Sequence, residues 1–116
     1  MKNFSIKVRD QLLVDLLNAR MQHMRWVNEV MNNKFSLAEP SHTDCQFGKW
    51  MLKVSESLEH LSEFQNLELP HRLLHQSYQT LQNAPEQEQH KLDVKSYSSQ
   101  LIDAIDALEQ RINHLG

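Results

Sequence analysis

Apolar residues recur at steps of three and four near the start of the chain, a pattern typical of one face of a helix. The series comprises Leu13, Leu16, Leu17, Val27, Val30 and Met31, and Arg20 and His23 fall within it. The pattern predicts a first long helix over about residues 4–32. The following stretch, up to His42, contains Asn32, Asn33 and Pro40 and predicts a loop.

The middle of the chain predicts shorter helices separated by breaks. Thr43 or Asp44 is suited to cap a short helix that carries Cys45, because such side chains accept hydrogen bonds from a free backbone N–H. A second short segment follows, through Leu58, Leu61 and Phe64. Pro70 is expected at the first position of a helix that runs to about residue 83, since that position needs no N–H.

The end of the chain predicts a second long helix, over about residues 87–115, after the turn at Ala84-Pro85. Its apolar stripe follows heptad-like spacing: Val94, Tyr97, Leu101, Ile105, Leu108, Ile112 and Leu115. Two long helices with shorter ones between them predict an all-α fold. We expect a single domain over residues 1–116, an antiparallel four-helix bundle with an additional short helix that carries Cys45.

The amino-acid composition excludes several classes of function. Gly48 and Gly116 are the only glycines, so phosphate-binding loops, dinucleotide-binding turns and nucleophile elbows, which need closely spaced glycines, are excluded. The formal net charge is −3 and the basic residues are scattered, which argues against a nucleic-acid partner. No apolar run has the length of a signal peptide or a membrane span, so we expect a soluble, cytoplasmic protein without membrane insertion.

Histidines in the middle of the chain are candidate metal ligands. His71 and His75 are one helical turn apart, so their imidazoles leave the same face and can share one metal ion. Arg72 follows His71, so the zinc-protease motif, which has a glutamate at that position, is absent. Chance alone produces such histidine pairs, and further ligands are needed to support a metal site.

Two more residues can complete a zinc site. His23 lies in the apolar series of the first helix, either as a hydrogen-bonded core histidine or as a ligand. Cys45, the only cysteine, is either a small buried apolar residue or a thiolate favoured by a helix N-terminus. One cysteine and three histidines would close a tetrahedral zinc shell, which indicates structure or sensing rather than hydrolysis.

The motifs His23-x-x-Trp26, Cys45-x-Phe47-Gly48-x-Trp50 and Pro70-His71-x-x-x-His75 together resemble those of the chemoreceptor zinc-binding domain family. The resemblance implies a cytoplasmic four-helix bundle, a homodimer, and a zinc ion bound by His23, Cys45, His71 and His75. It also implies an input module for a chemoreceptor signalling region or a diguanylate cyclase, which responds to zinc or to oxidants such as hypochlorous acid.

The chain departs from the family pattern at two positions that are not ligands. Met51 stands where the family often has tyrosine, and Gln22 where it often has an acidic residue. His42, three residues before Cys45, is the strongest alternative ligand, while Trp26 and Trp50 are expected to shield the site from water.

Two other functions compete with the sensor. The first is a dimerisation bundle with incidental histidines or a purely structural zinc. The second is an enzyme with Cys45 as nucleophile, which is disfavoured because no oxyanion site is evident in the sequence. Among the four ligands we expect Cys45 to be the mobile one, since its helix is short and loops flank it.

Overall fold

Helices form all the regular secondary structure in the described part of this computed structural model, which comprises residues 5–32, 45–84 and 88–114. The elements are α1 (Ile6–Met31), α2 (Gln46–Leu58), α3 (Ser62–Gln65), α4 (Glu68–Asn83) and α5 (Glu88–Asn113). The all-α prediction is therefore confirmed for these residues. No described helix has both the length and the apolar composition needed to cross a bilayer.

Helix α1 begins where Ser5 caps it, with the Ser5 hydroxyl accepting a hydrogen bond of 3.2 Å from the Val8 N–H. Its buried residues are Leu12, Leu16, Ala19, His23, Val27 and Val30. This face is rotated from the predicted one, because Leu17 is 48% exposed and Leu13 and Met31 are only partly buried. His23 is buried on the core face, as its place in the apolar series predicted, and the small residue Ala19, which was not part of that series, is buried there as well.

The cap of α2 differs from the prediction. Cys45 itself is the N-cap, and its sulfur accepts a hydrogen bond of 3.3 Å from the Gly48 N–H. Thr43 and Asp44, the predicted caps, lie outside the described residues. Cys45 stands at the start of α2, which has 13 residues. The shortest described helix is α3, which has four residues and does not contain Cys45.

Helix α4 begins at Glu68, two residues before the predicted start at Pro70. Proline is tolerated at this third position because the first turn has no intrahelical acceptors for its N–H groups. In α5 the predicted stripe is confirmed for the described residues. Val94, Leu101, Ile105, Leu108 and Ile112 are fully buried and Tyr97 is partly buried, while Leu115 lies outside the described residues.

Helix α5 packs against α1, α3 and α4, and α1 also packs against α2. Arg20 contributes to the α1–α5 contact, with its guanidinium 2.8 Å from the Asp106 carboxylate and 3.4 Å from that of Glu109. Arg20 therefore falls within the predicted apolar series of α1 without being a core residue. The His23 ring, on the core face of α1, lies close to the rings of His71 and His75 of α4, which belong to the site described below.

Candidate metal centre

His71 and His75 form the first pair of the site. Both lie on α4 one turn apart, and they are 0% and 3% exposed. Their ring centroids are 4.8 Å apart, with the rings nearly perpendicular at 89°. The predicted pairing of these imidazoles on one helix face is therefore present, and that face points into the protein core.

His23 brings a third imidazole from α1. It is 6% exposed, and its ring centroid lies 5.5 Å from that of His71 and 5.7 Å from that of His75. Each of the three histidines offers one ring nitrogen such that all three nitrogens lie within 4.8 Å of one another. Two helices far apart in the sequence thus converge on a single cluster of nitrogen donors.

Cys45 adds a sulfur donor at the edge of this cluster. Its side chain is buried, and Sγ lies 3.2 Å from Nε2 of His71. The same sulfur faces the N-terminus of α2, where the Gly48 N–H donates to it. A helix N-terminus and an N–H donor both interact favourably with negative charge on the sulfur, and the thiolate is the form of cysteine that binds metals.

The electrostatics of His23 favour a neutral imidazole. Burial, and secondarily the charge of His75, lower the pKa of His23 from 6.5 to about 3. At pH 7 the ring therefore keeps a lone pair on one nitrogen. Nε2 of His23 is buried and has no hydrogen-bond partner among the described residues. A buried nitrogen of this kind needs a physical explanation, and a bound cation is one that the neighbouring donors support.

The donors fit a zinc ion. Zinc at about 2.0–2.1 Å from nitrogen and about 2.3 Å from sulfur holds tetrahedral donors about 3.3–3.6 Å apart. The sulfur–nitrogen separation of 3.2 Å is close to this range. The three nitrogens lie within 4.8 Å of one another, so a separation near that limit would have to shorten when an ion binds. Three imidazoles and one thiolate are also a donor set that zinc prefers, without an oxygen ligand of the kind magnesium or calcium needs.

Aromatic rings surround the cluster. Trp26 stacks on His75 with centroids 5.0 Å apart and an interplanar angle of 17°, and it meets His23 edge-on at 5.2 Å. Phe47 meets His71 edge-on at 5.0 Å, and Trp50 stacks on the far side of Phe47 at 5.8 Å. Trp26 therefore contacts the candidate ligands directly, as expected. Trp50 contacts Phe47, which in turn contacts His71.

One aromatic residue beside the cluster was not predicted from the sequence. Tyr78 is 1% exposed, and its ring lies 4.9 Å from that of Trp26. Gln82 donates a hydrogen bond of 3.1 Å to its hydroxyl. Tyr78 comes three residues after His75, so it lies on the same face of α4 as the candidate ligands. This spacing is the sequence feature from which its position could have been predicted.

The other histidines lie apart from the cluster or outside the described residues. His60 and His114 are exposed, His90 is partly exposed, and His42, the predicted alternative ligand, lies outside the described residues. Within the described ranges, His23, His71 and His75 are the only group of three or more potential metal-binding side chains that converge.

The described residues form a helical protein with a buried cluster of three histidine side chains, His23, His71 and His75, and the Cys45 sulfur lies beside one of them; this arrangement is consistent with a zinc site. The model of the chemoreceptor zinc-binding domain family matches residues 23–82, more than half of the chain, and the chain belongs to this family. The match begins at His23 and includes all four candidate ligands. Comparisons with curated proteins and with solved structures found no significant match.

Proposed function

We propose that this chain is a non-catalytic zinc-binding sensory domain in which His23, Cys45, His71 and His75 hold one zinc ion. The observation that carries the proposal is the convergence of three buried imidazole nitrogens within 4.8 Å of one another, with the Cys45 sulfur 3.2 Å from one of them. When bound, zinc supplies a cation that all four donors share in a closed shell, without an open position for hydrolysis.

The four side chains come from three helices, and this gives the site its proposed regulatory role. His23 belongs to α1, Cys45 opens α2, and His71 and His75 belong to α4. In the proposed antiparallel four-helix bundle, ligation therefore restrains these helices relative to one another. Binding free energy becomes conformational free energy, so the occupied and unoccupied states differ in helix positions as well as in metal content.

Cys45 is the proposed redox-sensitive ligand, because the other three donors are imidazoles. Hypochlorous acid is a suitable oxidant: the thiolate takes up its hydroxyl group and releases chloride, so that sulfur loses two electrons and chlorine gains them. The product, a sulfenic acid, has lost the negative charge that the Gly48 N–H and the start of α2 stabilise. Since Cys45 lies at a helix end and the histidines lie inside α1 and α4, Cys45 is the donor expected to move.

The proposed output is signalling. The family description points to chemoreceptors, so we extend the proposal to control of a chemotaxis signalling region or of cyclic-di-GMP synthesis by a diguanylate cyclase. The setting is cytoplasmic, where a single cysteine stays reduced until an oxidant arrives. The domain is proposed to act as a homodimer, because a symmetric pair can transmit one conformational change to two effector chains.

Metal analysis tests the ligand set. Protein purified without added zinc should contain about one zinc per chain, and Cys45→Ala and His75→Ala should lose most of it while keeping a helical circular dichroism spectrum. His60→Ala is the matched control, because His60 is an exposed histidine outside the cluster. Equal zinc content in all four proteins would refute the ligand set.

Treatment with a chelator distinguishes the zinc-sensor hypothesis from the hypothesis of a bundle that only dimerises. Removing zinc should lower the melting temperature and change the circular dichroism or hydrogen-exchange pattern of α2, since α2 begins at a ligand. Unchanged stability and exchange would favour the dimerisation bundle with incidental histidines.

Cobalt substitution tests the mobility of Cys45. The cobalt-loaded protein should show a thiolate-to-metal charge-transfer band, and hypochlorous acid should abolish it while histidine coordination persists. A band that survives oxidation while α2 is displaced would refute Cys45 as the mobile ligand.

A further inference from the structure

A cleft lies between α1 and α2 at the surface of the protein. Its volume is about 350 Å³, which is near the lower end of the range for small-molecule pockets. The polar and aromatic side chains that line it are Asp15, Asn18 and Gln22 of α1 and Lys49, Trp50 and Lys53 of α2. We call it the α1–α2 cleft. None of the four candidate zinc ligands lines it, so it is distinct from the metal centre.

Opposite charges line the two walls of the cleft. Lys49 and Lys53 are four residues apart, so their side chains leave the same face of α2 about 6 Å apart along its axis. The other wall carries the carboxylate of Asp15, which accepts a hydrogen bond of 2.8 Å from the Gln11 amide. Among the described residues, neither lysine ammonium has an ion pair, and Asp15 has none. The charges therefore border one cleft without neutralising one another.

The charges on the two walls select the chemistry of a ligand. Two ammonium groups favour a molecule with two carboxylates, whereas Asp15 repels a molecule that is only anionic and favours one that also carries an ammonium. Asn18 and Gln22 follow Asp15 by three and seven residues, so their amides lie on the same face of α1, where they can donate and accept hydrogen bonds. The walls are thus complementary to a molecule with two carboxylates and one ammonium.

The dimensions of the cleft agree with this chemistry. Four carbon–carbon bonds of about 1.5 Å place the two carboxylate carbons of an extended glutamate roughly 5 Å apart. This separation is close to the spacing of about 6 Å between Lys49 and Lys53 along α2. On the other wall, the stretch from Asp15 to Gln22 is about 10 Å long, which accommodates one amino acid.

We propose that the α1–α2 cleft binds an acidic α-amino acid, with its two carboxylates on Lys49 and Lys53 and its ammonium on Asp15. Binding itself is independent of the zinc site, and its use as a second input to the domain rests on the sensory function proposed above. The cleft is close to the metal centre in the sequence, because Gln22 precedes His23 and Lys49 lies one helical turn after Cys45.

Binding should be weak and dependent on salt. Both lysines are exposed, so water and ions screen their contacts with a ligand. We expect a dissociation constant of about 1 mM for L-glutamate at low ionic strength, and a constant several times higher in about 0.5 M sodium chloride.

Two-dimensional proton–nitrogen NMR of the zinc-loaded full chain, titrated with L-glutamate, tests the location of the site. The indole N–H signal of Trp50 should shift and saturate, because Trp50 lines the cleft. The signal of Trp26, which does not line it, should stay in place, and Trp50→Phe identifies which signal belongs to which residue.

Charge-removing variants test the contacts. Lys49→Gln, Lys53→Gln and Asp15→Asn should each raise the dissociation constant about threefold to fivefold, the effect of losing one partly screened ion pair. Lys95→Gln and Asp103→Asn are the matched controls, because both residues are exposed on α5, and they should leave the constant unchanged. Circular dichroism and zinc content should match the wild type in all five variants.

Two analogues test the chemical class. Glutarate has both carboxylates without the ammonium, and γ-aminobutyrate has the ammonium with one carboxylate. Each should bind wild-type protein about threefold to fivefold more weakly than L-glutamate, because each lacks one ion pair. Asp15→Asn should remove most of the preference for L-glutamate over glutarate, since the carboxylate that favours the ammonium is gone.

The outcomes separate this site from the zinc site. No saturable shift of the Trp50 signal up to about 20 mM L-glutamate, or equal affinity in the wild type and both lysine variants, overturns the site. Glutarate that binds as tightly as L-glutamate overturns the amino-acid ligand. Zinc content is measured separately on the same samples, so loss of the proposed zinc site would be recognised without reference to the L-glutamate titration.

Discussion

His23 should destabilise the metal-free protein in acid, and His23→Leu should remove this effect. The pKa of His23 is about 3 in the folded chain and 6.5 in the unfolded chain, because burial and then the charge of His75 oppose protonation. Between these two values the unfolded state binds more protons, so stability falls as the pH falls. The loss begins near pH 6.5 and is complete only below about pH 3.

The magnitude follows from the same two pKa values. Each pH unit inside this window costs about 1.4 kcal/mol, so lowering the pH from 7 to 5 should cost about 2 kcal/mol through His23 alone. His23→Leu should abolish this part of the pH dependence. At pH 7 it should also stabilise the metal-free chain by about 1–3 kcal/mol, since it removes a buried nitrogen without a hydrogen-bond partner among the described residues.

Urea denaturation at pH 5 and pH 7, with a chelator present, measures both effects. His60→Gln is the control, because His60 is exposed, and its pH dependence should match that of the wild type. With zinc in excess the order should reverse, and the wild type should be more stable than His23→Leu, because the variant lacks a ligand. An identical pH dependence in wild type and His23→Leu would refute the reasoning.

Three further changes test the core, the α1–α5 ion pair and the ring stacked on a candidate ligand. Ile105→Ala empties a fully buried position and should lower the free energy of unfolding by about 2–5 kcal/mol in urea denaturation, against about 1 kcal/mol for Ile105→Val. Arg20→Gln breaks the ion pair with Asp106 and should cost less than about 1 kcal/mol, and added salt should shrink the difference. Trp26→Leu removes the ring stacked on His75 and should weaken zinc binding about tenfold in chelator competition, whereas Trp26→Phe should retain most of the affinity.

The sequence predicted those parts of the fold that depend on strong periodicity. The α5 stripe is confirmed because leucine, isoleucine and valine occupy nearly every core position, so hydrophobicity and burial coincide. In α1 they do not coincide. His23 holds the core position that its place in the series predicted, but Ala19 is also buried and Leu17 is about half exposed, so the hydrophobic pattern placed the centre of the core face too far round the helix.

The pairing of His71 with His75 could be predicted because it is local to one helix turn. The approach of His23 to that pair depends on how α1 and α4 meet, which no local rule supplies. The residues alone left His23 as either a core histidine or a ligand, and the family resemblance favoured the ligand. Cys45 as the cap of α2 was missed because serine, threonine, aspartate and asparagine are the usual caps. Cysteine takes that place here: its sulfur accepts the hydrogen bond from the Gly48 N–H and also contacts the His71 ring.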